Sequence, residues 1–145
     1  MKTLKTVLLL SLFLPMLLGC SNKFTIPENA TIDANFIGKW EGKSFNEKSG
    51  HWKKWVQIRK SDGTYTLHLK YYDKKDKFLS DSVETGYWWI QNDLFNEISP
   101  RSMTKPESYR YHFIDKNNVK FSSVKPDSSS DEKAGYSFVD TRVSE

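Results

Sequence analysis

The chain has 145 residues, 28% of them charged and 14% aromatic, with a formal net charge of +4; that length suits one domain and is short for two well-buried cores. Lysines alternate with acids in stretches such as KSDGTY and DKKDKF instead of forming the basic stripe that a phosphate backbone attracts, so no nucleic-acid partner is expected. A single cysteine excludes an intrachain disulfide and any zinc or thiol-redox site built on paired cysteines.

The first five residues carry Lys2 and Lys5, and positions 6–19 form a non-ionisable, leucine-rich run containing Pro15. Charge followed by a short apolar segment is the layout of a secretory signal. The run is too short to cross a bilayer, for which a helix needs about 20 apolar residues. It ends in Leu17-Leu18-Gly19-Cys20, which resembles the lipobox of bacterial lipoproteins. The resemblance implies a signal peptide over 1–19 and a mature chain that starts at Cys20. In that family the cysteine carries acyl chains, and two or more chains are what make membrane anchoring stable. By the same family's sorting habits, Ser21 implies the outer membrane of the cell envelope, with the domain facing the periplasm.

Removal of Lys2 and Lys5 lowers the side-chain charge to about +2 and leaves about 125 residues. Residues 20–35 read as the lipidated N-terminus and a polar tether, able to reach on the order of 50 Å when extended at about 3.3 Å per residue. The domain proper occupies 36–145.

From there the pattern has period two. TYTLHLKYY, at 64–72, sets Tyr65, Leu67, Leu69 and Tyr71 on one face and Thr66, His68 and Lys70 on the other, as in a strand with one wet side. The same alternation, bounded by turn residues, predicts strands at 37–45, 52–59, 82–90, 94–98, 108–114, 119–124 and 136–143, eight in all. No sustained helical stripe interrupts them. Eight strands in a meander suggest an all-β, antiparallel up-and-down barrel, because closure removes both exposed edges.

FIGKWEGK opens the first strand, and it resembles the Gly-x-Trp motif of lipocalins and the wider calycin superfamily, through Gly38 and Trp40. RKSDGTYTLHL, YRYHFIDKNNVKFSSV and the closing SFVDTRV are similar to the hairpins and last strand of small bacterial lipocalin-like domains. The resemblance implies a barrel over about residues 36–143 with Trp40 plugging one end. It also implies that Arg142, near the end of the last strand, lies across the indole. A glycine two residues from the tryptophan leaves room on the same face of the strand. This trio is structural.

Inward-facing rings supply the candidate ligand site: Tyr65, Tyr71, Trp88, Tyr109, Tyr111, Phe113, Phe121 and Phe138. An eight-stranded barrel is just wide enough to be filled by side chains or to hold one small ligand. In GYWWIQ, Trp88 and Trp89 are neighbours and must face opposite ways; Trp88 is expected inside and Trp89 outside, on a surface for a partner or the membrane. His68 and His112 fall on polar faces, and a zinc site would need three or four converging ligands. Glu41, Glu84 and Glu97 lie on strands, yet spacing alone pairs none of them. No nucleophile elbow, phosphate loop or His-Glu-x-x-His helix is present.

The sequence thus leads to a lipid-anchored, lipocalin-like binding protein, not an enzyme, with no cofactor or metal. Its ligand is expected to be a small hydrophobic or amphipathic molecule held against the rings and oriented by tyrosine hydroxyls. The alternative is an envelope protein interaction module with a filled barrel.

Overall fold

Alternating faces and short turns produce eight consecutive antiparallel strands in the computed structural model, which describes residues 24–124 and 136–144. They are β1 (Gly38–Asn46), β2 (His51–Arg59), β3 (Thr64–Tyr72), β4 (Phe78–Gln91), β5 (Leu94–Ile98), β6 (Glu107–Asp115), β7 (Asn118–Ser123) and β8 (Ser137–Arg142). Each pairs with the next, and β1 pairs with β8 through Trp40–Arg142, Glu41–Thr141 and Gly42–Asp140, which closes the barrel. The all-β, up-and-down barrel is therefore the fold, and it is compatible with a calycin-like architecture. The segment expected to be a signal, Cys20 and residues 125–135 lie outside the described residues.

The turn chemistry is local. Asn92 and Asp93 both have positive φ, 54° and 57°, the conformation that matches a tight hairpin to the right-handed twist of its strands. At the β2–β3 turn Gly63 has φ +77°, and Thr64 donates its N–H to Asp62 Oδ1 at 2.9 Å. Asp115 Oδ1 likewise accepts from the Asn117 N–H at 2.7 Å. β4 is longer than expected, 14 residues beginning at Phe78. Its first six residues run beside β3, with an irregularity in register at Leu79, yet are exposed on both faces, so they carry no apolar alternation to read.

One end of the barrel is filled. A short 3-10 turn, Ala34–Phe36, capped by the Asp33 carboxylate, places Phe36 among Phe95, Tyr111, Phe113 and Phe121 at centroid distances of 4.9–6.1 Å. Trp40 is fully buried and donates its indole N–H to the Phe36 carbonyl at 2.8 Å. Arg142 lies over that indole at 4.3 Å and ties the turn down, donating to the carbonyls of Ile37 at 2.7 Å and Asn35 at 2.6 Å. Gly38 has φ +124°, a backbone conformation that a side chain would strain, and a Cβ there would press on the Arg142 guanidinium at 2.9 Å.

The stretch read as a tether is, from Phe24 onward, part of the domain. Thr31 and Ile90 exchange backbone hydrogen bonds at 2.9 and 2.8 Å, and Ile26 and Ile32 reach over Gly63. Phe24 stacks on Trp89 at 5.3 Å. Trp89 does point away from the barrel interior, but this segment covers it and leaves it 2% exposed, so it offers no free surface. Apolar residues in the segment explain the packing: Phe24 covers the outward ring of Trp89, and Ile32 packs against the core cluster, each removing apolar surface from water.

Gly86 marks the closest approach between strand and interior. A Cβ there would collide with the Ile98 carbonyl and with the Tyr65 ring. Gly86→Ala is expected to lower stability by about 1–3 kcal/mol through overpacking, measured by urea denaturation.

Candidate functional site

The second half of the interior is built by strands whose inward face is polar. On β2 the inward residues are Trp55, Gln57 and Arg59, all buried, while Val56 and Ile58 face outward and Ile58 is 37% exposed. On β8, Phe138, Asp140 and Arg142 point in and Val139 points out. Gly42 opposes Trp55 across β1–β2, and its missing side chain leaves the space the indole fills.

These faces meet in a buried ion pair. Arg59 Nη2 donates to Asp140 Oδ2 at 2.5 Å, with the two side chains 2% and 0% exposed. Trp55 Nε1 donates to the other Asp140 oxygen at 2.8 Å, and Arg59 Nε donates to Gln57 Oε1 at 2.6 Å. The guanidinium is also flanked by Phe95, Phe121 and Trp40 at 4.8–5.6 Å. Arg59 thus separates the filled end from what lies above it.

Above it is a cavity of about 250 Å³. Tyr65, Leu67, Leu69 and Tyr71 of β3 form one wall, and Phe95, Tyr109 and Phe138 form another. Glu84, Glu97 and Glu107 face the same space, with Met103 of the β5–β6 connection beside them. Gln57 Nε2 donates to Glu97 Oε2 at 2.9 Å, and the Tyr109 hydroxyl donates to Glu107 at 2.5 Å.

The eight rings expected to line a ligand site divide by height. Tyr65, Tyr71, Tyr109 and Phe138 line the cavity. Trp88, Tyr111, Phe113 and Phe121 instead belong to the filled end around Phe36. All eight were chosen for facing inward, and alternation carries no information about position along the barrel axis.

Sequence reasoning missed Gln57, Arg59, Glu107 and Asp140. In WVQIR the apolar Val56 and Ile58 suggest themselves as the inner face, and only Trp55 hints at the opposite. Glu97 finds its neighbour across strands: it sits directly opposite Glu107 in the β5–β6 register, a relation that depends on loop length. His51, His68 and His112 are exposed, and the described residues contain no group of three or more side chains suited to a metal ion.

Burial raises the Glu97 carboxyl above its usual range, opposed by the Gln57 hydrogen bond and the Arg59 charge. Burial, reinforced by the neighbouring glutamates, also pushes Tyr65 and Tyr109 up, so both phenols stay protonated as hydrogen-bond donors. A carboxyl whose folded pKa is raised favours the fold when protonated. Its contribution is full below the unfolded pKa and is lost as pH rises through the folded pKa. Glu97→Gln is therefore expected to be more stable than the natural chain at neutral pH, with the gain shrinking in acid as Glu97 takes up its proton; paired urea titrations across pH measure the difference.

Compared with known proteins, the chain matches no family model, no curated protein and no solved structure.

Proposed function

We propose that the barrel is a lipocalin-like binding module held to the bacterial cell envelope by lipid on Cys20, and that it takes a small hydrophobic or amphipathic ligand. The observation that carries this is the division of the interior: one end is solid with rings, while the other keeps about 250 Å³ between aromatic walls. The wall sets rings and leucines beside charged side chains, Glu84, Glu97 and Glu107 among them, which suits an amphipathic ligand, the rings for affinity and the polar groups for orientation. The alternative, a docking module with a packed interior, loses the outward ring it relied on, because Trp89 is covered by Phe24.

The anchor reading gains a distance. Phe24 is packed against Trp89 and lies four positions after Cys20, a separation of at most about 13 Å at about 3.3 Å per residue. Under this reading the barrel rests close to its membrane, and the outer membrane with the periplasm is the compartment proposed.

The test is calorimetric titration with straight-chain alcohols of increasing length. Affinity is expected to strengthen by up to about 0.8 kcal/mol per added CH₂ and then stop improving once the chain outgrows the cavity. Leu69→Trp, which fills the wall, is expected to abolish binding while the β-sheet circular dichroism is kept. Binding that is untouched by this substitution would place the ligand elsewhere and overturn the proposal.

A further inference from the structure

We propose that the cavity is specific for a small organic cation that also carries an uncharged hydrogen-bond acceptor, such as an amine bearing a hydroxyl or carbonyl oxygen. This rests on the ligand-binding reading above and adds the ligand's charge and polarity to it.

Charge is the first argument. Glu84, Glu97, Glu107 and Asp140 face the cavity, against Lys53 and Arg59. Asp140 is already matched by Arg59, so the remaining acids outnumber the remaining cation. Glu97 and Glu107 stand directly opposite each other on β5 and β6, where like charges repel. Among the described residues each has one side-chain donor, Gln57 for Glu97 and Tyr109 for Glu107. An ammonium between them relieves the repulsion and supplies the counter-charge that burial of Glu97 lacks. Tyr65 and Tyr109 flank these carboxyls in the wall, and ring faces attract a cation.

Arg59 is 3% exposed and belongs to the cavity wall, and among the described residues its Nη1 is a buried nitrogen with no hydrogen-bond partner. Buried donors in folded proteins are nearly always paired. A ligand oxygen supplies the acceptor once the Arg59 side chain turns this nitrogen toward the cavity. It has to be uncharged, because a carboxylate there would approach Asp140, which holds the same guanidinium at 2.5 Å. Fatty acids are thereby disfavoured. The volume of about 250 Å³ equals about eight waters at about 30 Å³ each, enough for one ring and a short arm.

Four probes of one size separate the possibilities when titrated calorimetrically into the full-length protein: tyramine, phenethylamine, phenethyl alcohol and hydrocinnamate. Tyramine is expected to bind at least about tenfold tighter than hydrocinnamate, with phenethyl alcohol between them, and about threefold or more tighter than phenethylamine, which lacks the oxygen for Arg59. Glu97→Gln and Glu107→Gln are each expected to weaken tyramine and narrow its lead over hydrocinnamate. Hydrocinnamate binding as well as tyramine would overturn the charge inference while leaving the ligand-binding reading in place. A tyramine preference unchanged in both variants would overturn it too. Failure of all four probes and of the alcohol series would bring down both.

Discussion

Alanine at position 140 is expected to cost the barrel about 3–5 kcal/mol, the penalty for stranding a buried charge whose partner has been removed. Asp140 is fully buried, holds Arg59, and accepts the Trp55 indole N–H on its second oxygen. Its loss leaves the guanidinium facing rings and Trp55 without an acceptor. Replacing both charges with apolar residues of similar volume removes the cost of burying them as well as their attraction, so Arg59→Met combined with Asp140→Leu should recover most of the loss. Urea denaturation of the two singles and the double measures the coupling. Additive losses would mean that the pair does not act as a unit.

Trp40→Ala is expected to cost a similar amount, about 3–5 kcal/mol, for a different reason: it empties the floor of the barrel. The indole is fully buried, and its N–H holds the Phe36 carbonyl that positions the ring stack above. Arg142→Met separates the plug from its clamp. That variant keeps the indole and loses a stacked cation with two charged hydrogen bonds to the Asn35 and Ile37 carbonyls. About 1–3 kcal/mol is expected for it, because hydrogen bonds from charged groups contribute about 1.5–3 kcal/mol and their loss is eased where water reaches the carbonyls. A loss in Arg142→Met as large as in Trp40→Ala would show that the clamp, not the ring, holds the end shut.

The barrel was legible in the sequence because each strand buries one face and each hairpin carries its own turn residues. TYTLHLKYY became β3 residue for residue, and Asn92 and Asp93, small polar residues between two apolar runs, make a tight turn. Gly38, Trp40 and Arg142 were legible through motif spacing, and they meet at one end as the resemblance implied. Alternation failed where the inner face is polar. Val56 and Ile58 look like core residues and lie outside, because Arg59 and Gln57 find partners across the barrel that no local pattern reveals. The tether was misjudged because three large apolar residues over positions 24–32 make no sustained alternation, yet Phe24 covers Trp89 on the outside of β4 and Ile26 and Ile32 reach over Gly63 at the β2–β3 turn. Height along the barrel, which puts Tyr109 in the cavity wall and Tyr111, two residues on, against Phe36 in the plug, is set by register and is invisible to a face-by-face reading.

The half-hollow interior is tested most directly by following the indole N–H resonances of the five tryptophans while a binding alcohol or amine is titrated in. Trp55 stands in the cavity wall, and Trp40 and Trp88 stand in the filled end. The Trp55 signal is expected to move saturably while those of Trp40 and Trp88 stay in place. Equal movement of all three, or a Trp55 resonance indifferent to every probe, would contradict a barrel that is solid below Arg59 and receptive above it.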